Sequence, residues 1–271
     1  MTETFHISGP SGIIAAELLL PQAFNREDGH YELVILMHGF LCTKESIPLG
    51  FLSRFLIREG YAVLRFDFNG YGKSEGRQED NTVPGMIQDA TAVWEYATTL
   101  PYIDHIILLG HSQGGVVAGM LAGRLEKAGA PPSSLILLAP GSALKDFALR
   151  GRFLTARCNP ADPPDTINIY GFKMRRNYIL SAQTLPIEEE SSWYTGSVCL
   201  LHGTWDPIVP ISCSERYHLL YQNSEFHRIR GTDHLFLIRR RKIRRLILDF
   251  LQGQTFISPE SDPLRHHLEA R

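Results

Sequence analysis

The sequence predicts an α/β fold in which a mainly parallel sheet is flanked by helices on both faces and carries an inserted cap subdomain. Short, continuous apolar runs recur along the chain, and their length is typical of strands that are buried on both faces. Segments with apolar residues at helical spacing separate these runs, and such alternation favours a parallel sheet. The alternation stops over residues 141–196 and then resumes, which indicates an insertion between core elements.

The first half of the chain supplies most of the predicted sheet. Residues 5–8 and 13–20 are predicted to form two strands around Gly9-Pro10-Ser11-Gly12, because glycine and proline there separate two apolar runs. Four buried strands and three helices follow, each predicted from its own periodicity. The strands cover residues 33–37, 62–66, 106–109 and 135–139, and the helices begin near Phe51, Val83 and Val116.

The second half resumes the pattern after the insertion. The predicted elements are a strand, a helix, a short strand and a final helix, over residues 198–201, 214–221, 226–229 and 237–251. An irregular stretch as long as the insertion is unusual in a compact core unless it has a function of its own. The predicted division is a core of residues 1–140 and 197–254, a cap of residues 141–196 and a C-terminal extension of residues 255–271.

Composition and charge argue against several classes of protein. The 271 residues carry a formal net charge of −2, which gives no electrostatic argument for nucleic acid or an anionic membrane as a partner. The first residues lack the pattern of a signal peptide, and no stretch approaches the ~18 apolar residues of a membrane span. Neither metal-ligand spacing nor a dinucleotide-binding motif is found. We therefore expect a cytoplasmic protein that works without a metal or another cofactor.

A nucleophile motif follows the third of the four buried strands. Gly110-His111-Ser112-Gln113-Gly114 matches Gly-x-Ser-x-Gly. A predicted strand ends at the motif and a predicted helix begins after it, which is the context that a nucleophile turn requires. The spacing predicts that Ser112 projects its hydroxyl from the turn, where the N-terminus of the helix favours developing negative charge.

A serine hydroxyl needs a base to take its proton. Asp206 follows the predicted strand of residues 198–201, and His234 follows the predicted strand of residues 226–229. Acid and histidine follow the serine in this order when such a turn lies in a parallel sheet, and both then lie in loops beside it. We therefore predict His234 as the general base and Asp206 as the carboxylate that orients it. No other histidine combines this order with a loop position.

Two backbone N–H groups are needed to stabilise the oxyanion that forms when serine attacks a carbonyl group. Gln113, directly after the nucleophile, is predicted to supply one of them. His38-Gly39-Phe40 ends the strand of residues 33–37 and is predicted to supply the other through the Phe40 amide. The alternative for this segment is a simple turn at the end of a strand.

Two other features of the sequence are interpreted without a catalytic role. The loop of residues 67–74 resembles a ligand loop but is predicted to be a structured turn at the rim of the site. The basic run of residues 239–245 is compatible with phosphate or membrane binding. Because Ile243, Leu246 and Ile247 recur at helical spacing there, its charges are interpreted as the solvent-exposed face of the last helix.

Four segments together resemble the α/β-hydrolase superfamily over nearly the whole chain. They are His38-Gly39-Phe40, residues 67–74, residues 110–115 and residues 202–210. More narrowly, Gln113 after the serine and the segment of residues 178–187 resemble bacterial cinnamoyl (feruloyl) esterases. This resemblance implies an α/β-hydrolase fold with a cap inserted before the strand of the acid, and cleavage of hydroxycinnamate esters.

Three functional hypotheses follow from the sequence. The first is a serine carboxylic ester hydrolase that cleaves hydroxycinnamate esters through an acyl-enzyme intermediate, and the second is a monoacylglycerol lipase-like or short-chain aliphatic esterase. The third is a non-catalytic binding protein, against which the complete Ser–His–Asp set argues. The expected partner is a small-molecule ester, and a homodimer is left open.

The first hypothesis requires polar groups near the hydroxyls of a phenolic ring. Tyr178 lies in the segment that resembles the cinnamoyl esterases, and Asp146 follows the strand that leads into the cap. Both are predicted to approach the ring hydroxyls of a bound hydroxycinnamate. The alternative is that Tyr178 belongs to the core of the cap and that Asp146 caps a helix.

Overall fold

A computed structural model describes residues 1–27 and 29–253, so the predicted C-terminal extension lies outside the described residues. Its central sheet contains β1 (Thr2–Gly9), β2 (Gly12–Leu19), β3 (Tyr31–Met37), β4 (Ala62–Phe66), β5 (Ile103–His111), β6 (Ser134–Leu138), β11 (Ser197–Gly203) and β12 (Ser224–Ile229). The helices outside the insertion are α1 (Leu49–Leu56), α2 (Val83–Thr98), α3 (Gln113–Lys127), α7 (Ser212–Leu220) and α8 (Arg240–Leu251).

The eight strands lie in the order β1-β2-β4-β3-β5-β6-β11-β12. The pairings β1–β2 and β2–β4 are antiparallel, whereas every pairing from β4 to β12 is parallel. The prediction of a mainly parallel sheet flanked by helices is confirmed. Because the parallel strands all point the same way, the loops that follow β3, β5, β11 and β12 meet at one edge of the sheet, which we call the carboxyl edge.

Helices cover both faces of the sheet, because side chains alternate between the faces along each strand. On β5, Ile106 and Leu108 face the core layer that includes α2 and α3. Ile107 and Leu109 face the second layer, which contains α1 and α8. In the described part of the chain, no helix is both long enough and apolar enough to cross a lipid bilayer.

The insertion between β6 and β11 contains two short hairpins and three helices. Its elements are α4 (Leu144–Arg150), β7 (Arg152–Phe153), β8 (Ala156–Arg157), β9 (Thr166–Ile169), β10 (Phe172–Arg175), α5 (Arg176–Gln183) and α6 (Ile187–Ser192). The last of these packs on the core, since Arg124 of α3 pairs with Glu190 at 2.8 Å and Gly123 lies against the Glu190 carbonyl group. The cap that covers the site is therefore formed by the elements before α6.

Candidate active site

The Gly-x-Ser-x-Gly motif forms a tight turn between β5 and α3. Ser112 has φ 56° and ψ −120°, which is a strained conformation for a residue with a side chain. A Cβ atom on Gly110 would lie 2.2 Å from the Gly114 carbonyl oxygen, and one on Gly114 would lie 2.3 Å from the Met37 oxygen. Both positions therefore require glycine.

Backbone hydrogen bonds hold Ser112 in this conformation. Its N–H donates to the Leu138 carbonyl at 2.9 Å, and its carbonyl accepts from Gly115 at 3.0 Å and from Gly141 at 2.9 Å. Because three bonds to two other segments fix the peptide groups of the turn, the strain at Ser112 persists in the folded protein.

The structure brings the predicted serine, histidine and aspartate together at the carboxyl edge. His234 Nε2 lies 2.9 Å from Ser112 Oγ, and His234 Nδ1 lies 2.6 Å from Asp206 Oδ2. In this arrangement the imidazole can take the serine proton at Nε2 while its Nδ1–H donates to the carboxylate. Asp233, the neighbour of His234, accepts instead from the Leu237 N–H at 3.0 Å.

Asp206 is held as a carboxylate. Burial opposes its ionisation, but hydrogen bonds from His202 and His234 outweigh burial and hold the pKa of Asp206 well below its usual value. Its Oδ1 also accepts from the N–H groups of Ile208 and Val209, at 2.8 and 2.9 Å. An ionised Asp206 keeps the proton of His234 on Nδ1, so that Nε2 is free to act as the base.

Two histidines that the sequence did not assign to the site support it. His202 Nε2 lies 3.3 Å from Asp206 Oδ2 and 3.0 Å from the Val209 carbonyl, while its Nδ1 contacts Ser214 Oγ at 2.7 Å. His111 Nε2 lies 2.9 Å from the carbonyl oxygen of His234. Burial, followed by the nearby His234, lowers the pKa of His111 to about 3, so it is neutral and donates this bond. The sequence could have assigned His202 to the site only through its spacing of four residues from Asp206.

The two amides predicted for the oxyanion lie beside the serine. Gln113 is the first residue of α3, and Gly39 lies so close to Ser112 that a Cβ atom on it would be 3.0 Å from the serine Cβ. Within residues 1–27 and 29–253, the N–H groups of Phe40 and Gln113 make no backbone hydrogen bond. Both are therefore available to an oxygen atom that binds next to Ser112.

The loop that carries Phe40 is anchored to residues 67–74. His38 Nε2 accepts from the Phe68 N–H at 3.1 Å, and burial lowers the pKa of His38 to about 4. Farther along, the backbone N–H and the ammonium group of Lys44 each donate to Asp67 at 2.7 Å. Lys44 and Asp67 are both buried. Residues 67–74 thus form the structured turn that the sequence predicts, and they support the oxyanion loop from behind.

A narrow cavity of about 80 Å³ leads from Ser112 under the cap. Its lining is almost entirely apolar, and consists of Phe40, Ser112, Gln113, Gly141, Leu144, Phe147, Phe153, Leu154, Ile169, Met174, Tyr178, Ile208 and Val209. Pockets for small molecules commonly measure about 300–1,000 Å³. The cavity is therefore small for a bulky acyl group in this structure.

The two predicted substrate contacts lie in different environments. Tyr178 lines the cavity, and its hydroxyl donates to Gln113 Oε1 at 2.8 Å. Asp146 does not line the cavity, because it lies on a half-exposed face of α4 with its carboxylate 3.8 Å from Arg216. The predicted contact of Asp146 with a ring hydroxyl has no support in this geometry.

One group of potential metal ligands lies away from the site. Within the described ranges, Cys199, Glu225 and His227 bring a sulfur, a carboxylate oxygen and an imidazole nitrogen within 4.8 Å of one another. They come from the adjacent strands β11 and β12, so their spacing in sequence gives no signal. His227 already pairs with Glu225 at 2.9 Å.

The chain has the α/β-hydrolase fold and carries a Ser–His–Asp triad at the carboxyl edge of its sheet. Residues 29–158 match a family model described as serine aminopeptidase, S33. The structure is also similar to Est1E from Butyrivibrio proteoclasticus in its complex with ferulic acid. That likeness has a TM-score of 0.86 and 28% sequence identity, and it covers 92% of this chain and 98% of the other. The resemblance to bacterial cinnamoyl esterases is thus confirmed.

Sequence relatives extend the comparison to lipases. The chain is 25% identical over 236 residues to the lysophosphatidylserine lipase ABHD12 of Xenopus tropicalis. This alignment covers 82% of this chain and 58% of the relative. It is 24% identical over 230 residues to human protein ABHD12B, and this alignment covers 82% of this chain and 61% of the relative. The chain therefore spans about three fifths of the length of these curated relatives.

Proposed function

We propose that the protein is a carboxylic ester hydrolase that works through an acyl-enzyme on Ser112. The observation that carries this proposal is the chain of contacts Ser112–His234–Asp206 at the mouth of an apolar cavity. Beside it lie two amides that make no backbone hydrogen bond in the described part of the chain. Ser112 Oγ attacks the ester carbonyl carbon while His234 Nε2 takes its proton. The N–H groups of Phe40 and Gln113 donate to the oxyanion.

The second half of the reaction uses the same groups. His234 returns the proton to the leaving alcohol oxygen, so the alcohol departs and the acyl group stays on Ser112. A water molecule then attacks the acyl carbon, with His234 again as the base, and releases the acid. Asp206 stays ionised throughout and stabilises the imidazolium that forms in both halves.

We further propose that the acyl group is a hydroxycinnamate. Four aromatic side chains, those of Phe40, Phe147, Phe153 and Tyr178, line the cavity and suit a flat ring. The likeness to Est1E, which was solved with bound ferulic acid, at 28% identity over nearly the whole of both chains supports the same substrate class. Tyr178 supplies the polar group that the cap contributes to this lining.

An aliphatic acyl chain is the second candidate, and a specific observation favours it. The cavity lining offers few polar groups beyond Ser112, Gln113 and Tyr178, and the hydroxyl of Tyr178 is already bonded to Gln113. The relatives named lysophosphatidylserine lipases are consistent with such a substrate. Peptide hydrolysis from an amino terminus is less well supported, because the lining has no carboxylate to bind an ammonium group.

A panel of four esters tests these proposals. We expect kcat/KM for methyl ferulate to exceed the values for p-nitrophenyl butyrate, monoolein and lysophosphatidylserine, with the Ser112→Ala variant as the blank. Preference for monoolein or lysophosphatidylserine would replace the aromatic proposal by the aliphatic one. If no ester turns over and a fluorophosphonate probe fails to label Ser112, the esterase proposal itself is wrong.

A further inference from the structure

A basic cleft lies between α1 and α8, on the face of the sheet that these two helices cover. It measures about 430 Å³ and is lined by Arg54, Phe55, Arg58, Glu59, Arg241, Arg244, Arg245 and Leu248. None of these residues lines the active-site cavity. We call this feature the α1–α8 arginine cleft.

Core packing explains why the arginines converge. Ile243 and Ile247 of α8 are fully buried in the core layer beneath the helix, which fixes the rotation of α8. Its residues 241, 244, 245 and 248 then share a second face, because residues three and four apart are neighbours on a helix. Arg54 and Arg58 are four residues apart on α1 and its continuation, and they lie opposite. The basic run at the start of α8 thus meets a second pair of arginines that is distant in sequence.

The cleft is short of negative charge. Glu59 is the one carboxylate in its lining, and Asp249 lies 3.4 Å from Arg245. Five guanidinium groups against these two carboxylates leave a net charge of +3. Across the described ranges, Arg54, Arg58, Arg241 and Arg244 form no ion pair, whereas more than half of the arginines outside the cleft do. Their mutual repulsion falls when an anion binds.

One guanidinium group of the cleft is held in place by aromatic rings. The Arg244 guanidinium carbon lies 5.6 Å from the ring centroids of both Phe51 and Phe55, which holds the group against their faces. Its Nε is buried and has no hydrogen-bond partner within the described residues. Less conformational entropy is lost on binding when a donor is fixed beforehand. The arrangement therefore favours a ligand with several oxygen acceptors.

We propose that the α1–α8 arginine cleft binds an anion that carries two or more phosphate groups. Guanidinium groups donate in pairs to phosphate oxygens, and a linked pair or triplet of phosphates matches the net charge of +3. The volume lies in the range of small-molecule sites, about 300–1,000 Å³. A free oligophosphate and a polyphosphorylated lipid headgroup share this chemistry. The interpretation of the basic run as solvent-exposed is thereby extended to a binding surface.

Two probes on the full chain test the cleft and separate its ligand sources. Calorimetric titration with sodium tripolyphosphate reports a free oligophosphate, and co-sedimentation with phosphatidylcholine vesicles containing phosphatidylinositol 4,5-bisphosphate reports a lipid headgroup. We expect saturable binding in at least one assay, with an affinity that falls as salt rises. Tripolyphosphate binding alone would assign the free ligand, and vesicle binding alone would assign the headgroup.

A matched pair of charge reversals makes the test specific to the cleft. The double variant Arg58→Glu/Arg241→Glu should bind about tenfold more weakly or worse, because two phosphate donors become repulsive. The control Arg150→Glu/Arg157→Glu makes the same change in net charge at exposed cap positions and should stay within about twofold. Circular dichroism checks that both fold. Equal losses in both variants, or no saturable binding to either probe, would overturn the proposal.

Discussion

The carboxyl edge of the core sheet and the cap above it position the site by different means. At the edge, backbone hydrogen bonds fix Ser112, and buried side chains such as His111 fix the residues around it. The cap is held by apolar packing, with Ile169, Met174 and Ile179 buried in the same cluster as α2 and α3, and by few polar contacts. These are chiefly Tyr178 on Gln113 at 2.8 Å and Arg175 on Glu79 at 2.8 Å.

This difference assigns chemistry and selectivity to separate regions. Exposed ion pairs such as Arg175–Glu79 contribute little to stability, so the polar contacts of the cap constrain it less than the backbone bonds of the edge constrain Ser112. The buried edge is rigid, because breaking its hydrogen bonds would leave unpaired polar groups in the interior. Changes at the edge should abolish turnover of every ester, and changes in the cap should alter the ranking of esters.

Replacing the nucleophile gives the largest expected effect. Ser112→Ala should lower kcat by about 10⁶-fold on every ester, because loss of a triad nucleophile cost about that much in subtilisin. Thermal unfolding should be close to wild type, since alanine fits the turn as well as serine does. A variant that keeps more than about 1% of the wild-type rate would be incompatible with Ser112 as the nucleophile.

The base and the acid come next in size. His234→Ala should be about as damaging as Ser112→Ala, whereas Asp206→Asn should cost about 10⁴-fold, because an amide holds the imidazole in the wrong tautomer. His227→Ala on β12 is the matched control and should retain nearly full activity. Were the control as inactive as His234→Ala while still folded, the choice of base would be wrong.

A cap substitution should act selectively. Tyr178→Phe removes the hydroxyl from the cavity lining, and we expect kcat/KM for methyl ferulate to fall about tenfold, with p-nitrophenyl butyrate changed less than about twofold. Asp146→Ala should leave both rates near wild type, because its carboxylate faces Arg216 outside the cavity. Equal losses on both esters for Tyr178→Phe would show that this residue only supports the cap.

Replacing Asp89 should have the smallest effect on rate, and it should change the stability of the protein. Asp89 of α2 is buried, and one of its oxygens accepts from the Asn69 N–H at 2.8 Å. Burial raises the pKa of Asp89 to about 7, despite that bond. Since its ordinary pKa is near 3.8, the folded state holds this proton more tightly, and the stability due to Asp89 falls as pH rises through the window from about 4 to about 7.

Asp89→Asn cannot ionise and isolates this contribution. Between pH 5 and pH 8, the free energy of unfolding of the variant should rise relative to that of the wild type by about 2 kcal/mol, as measured by urea titration. Asp165→Asn at a fully exposed position should show no such trend. If the difference in free energy of unfolding between the two proteins stays constant from pH 5 to pH 8, Asp89 is ionised throughout that range, and the core beside residues 67–74 tolerates a buried charge.

Part of the candidate site could be predicted because it depends on local pattern and strand order. The motif around Ser112 marks its own turn, and Asp206 and His234 follow strands that end at the same edge of a parallel sheet. The supporting groups could not be predicted in this way. Lys44 meets Asp67, and His111 meets the His234 carbonyl, only because loops from distant strands pack together. For Asp146, its position at the start of the cap did not indicate which face of α4 its side chain would occupy.

The sequence by itself determined the order of strands and helices along the core, the nucleophile turn and the loops that carry the acid and the base. These depend on residue periodicity and on glycines that only one backbone geometry accommodates. The tertiary structure alone decided the narrow cavity under the cap, the bond from Tyr178 to Gln113 and the meeting of α1 with α8. The physical reason is that helix rotation and hairpin docking are set by burial against distant partners, and no local pattern along the chain records those partners.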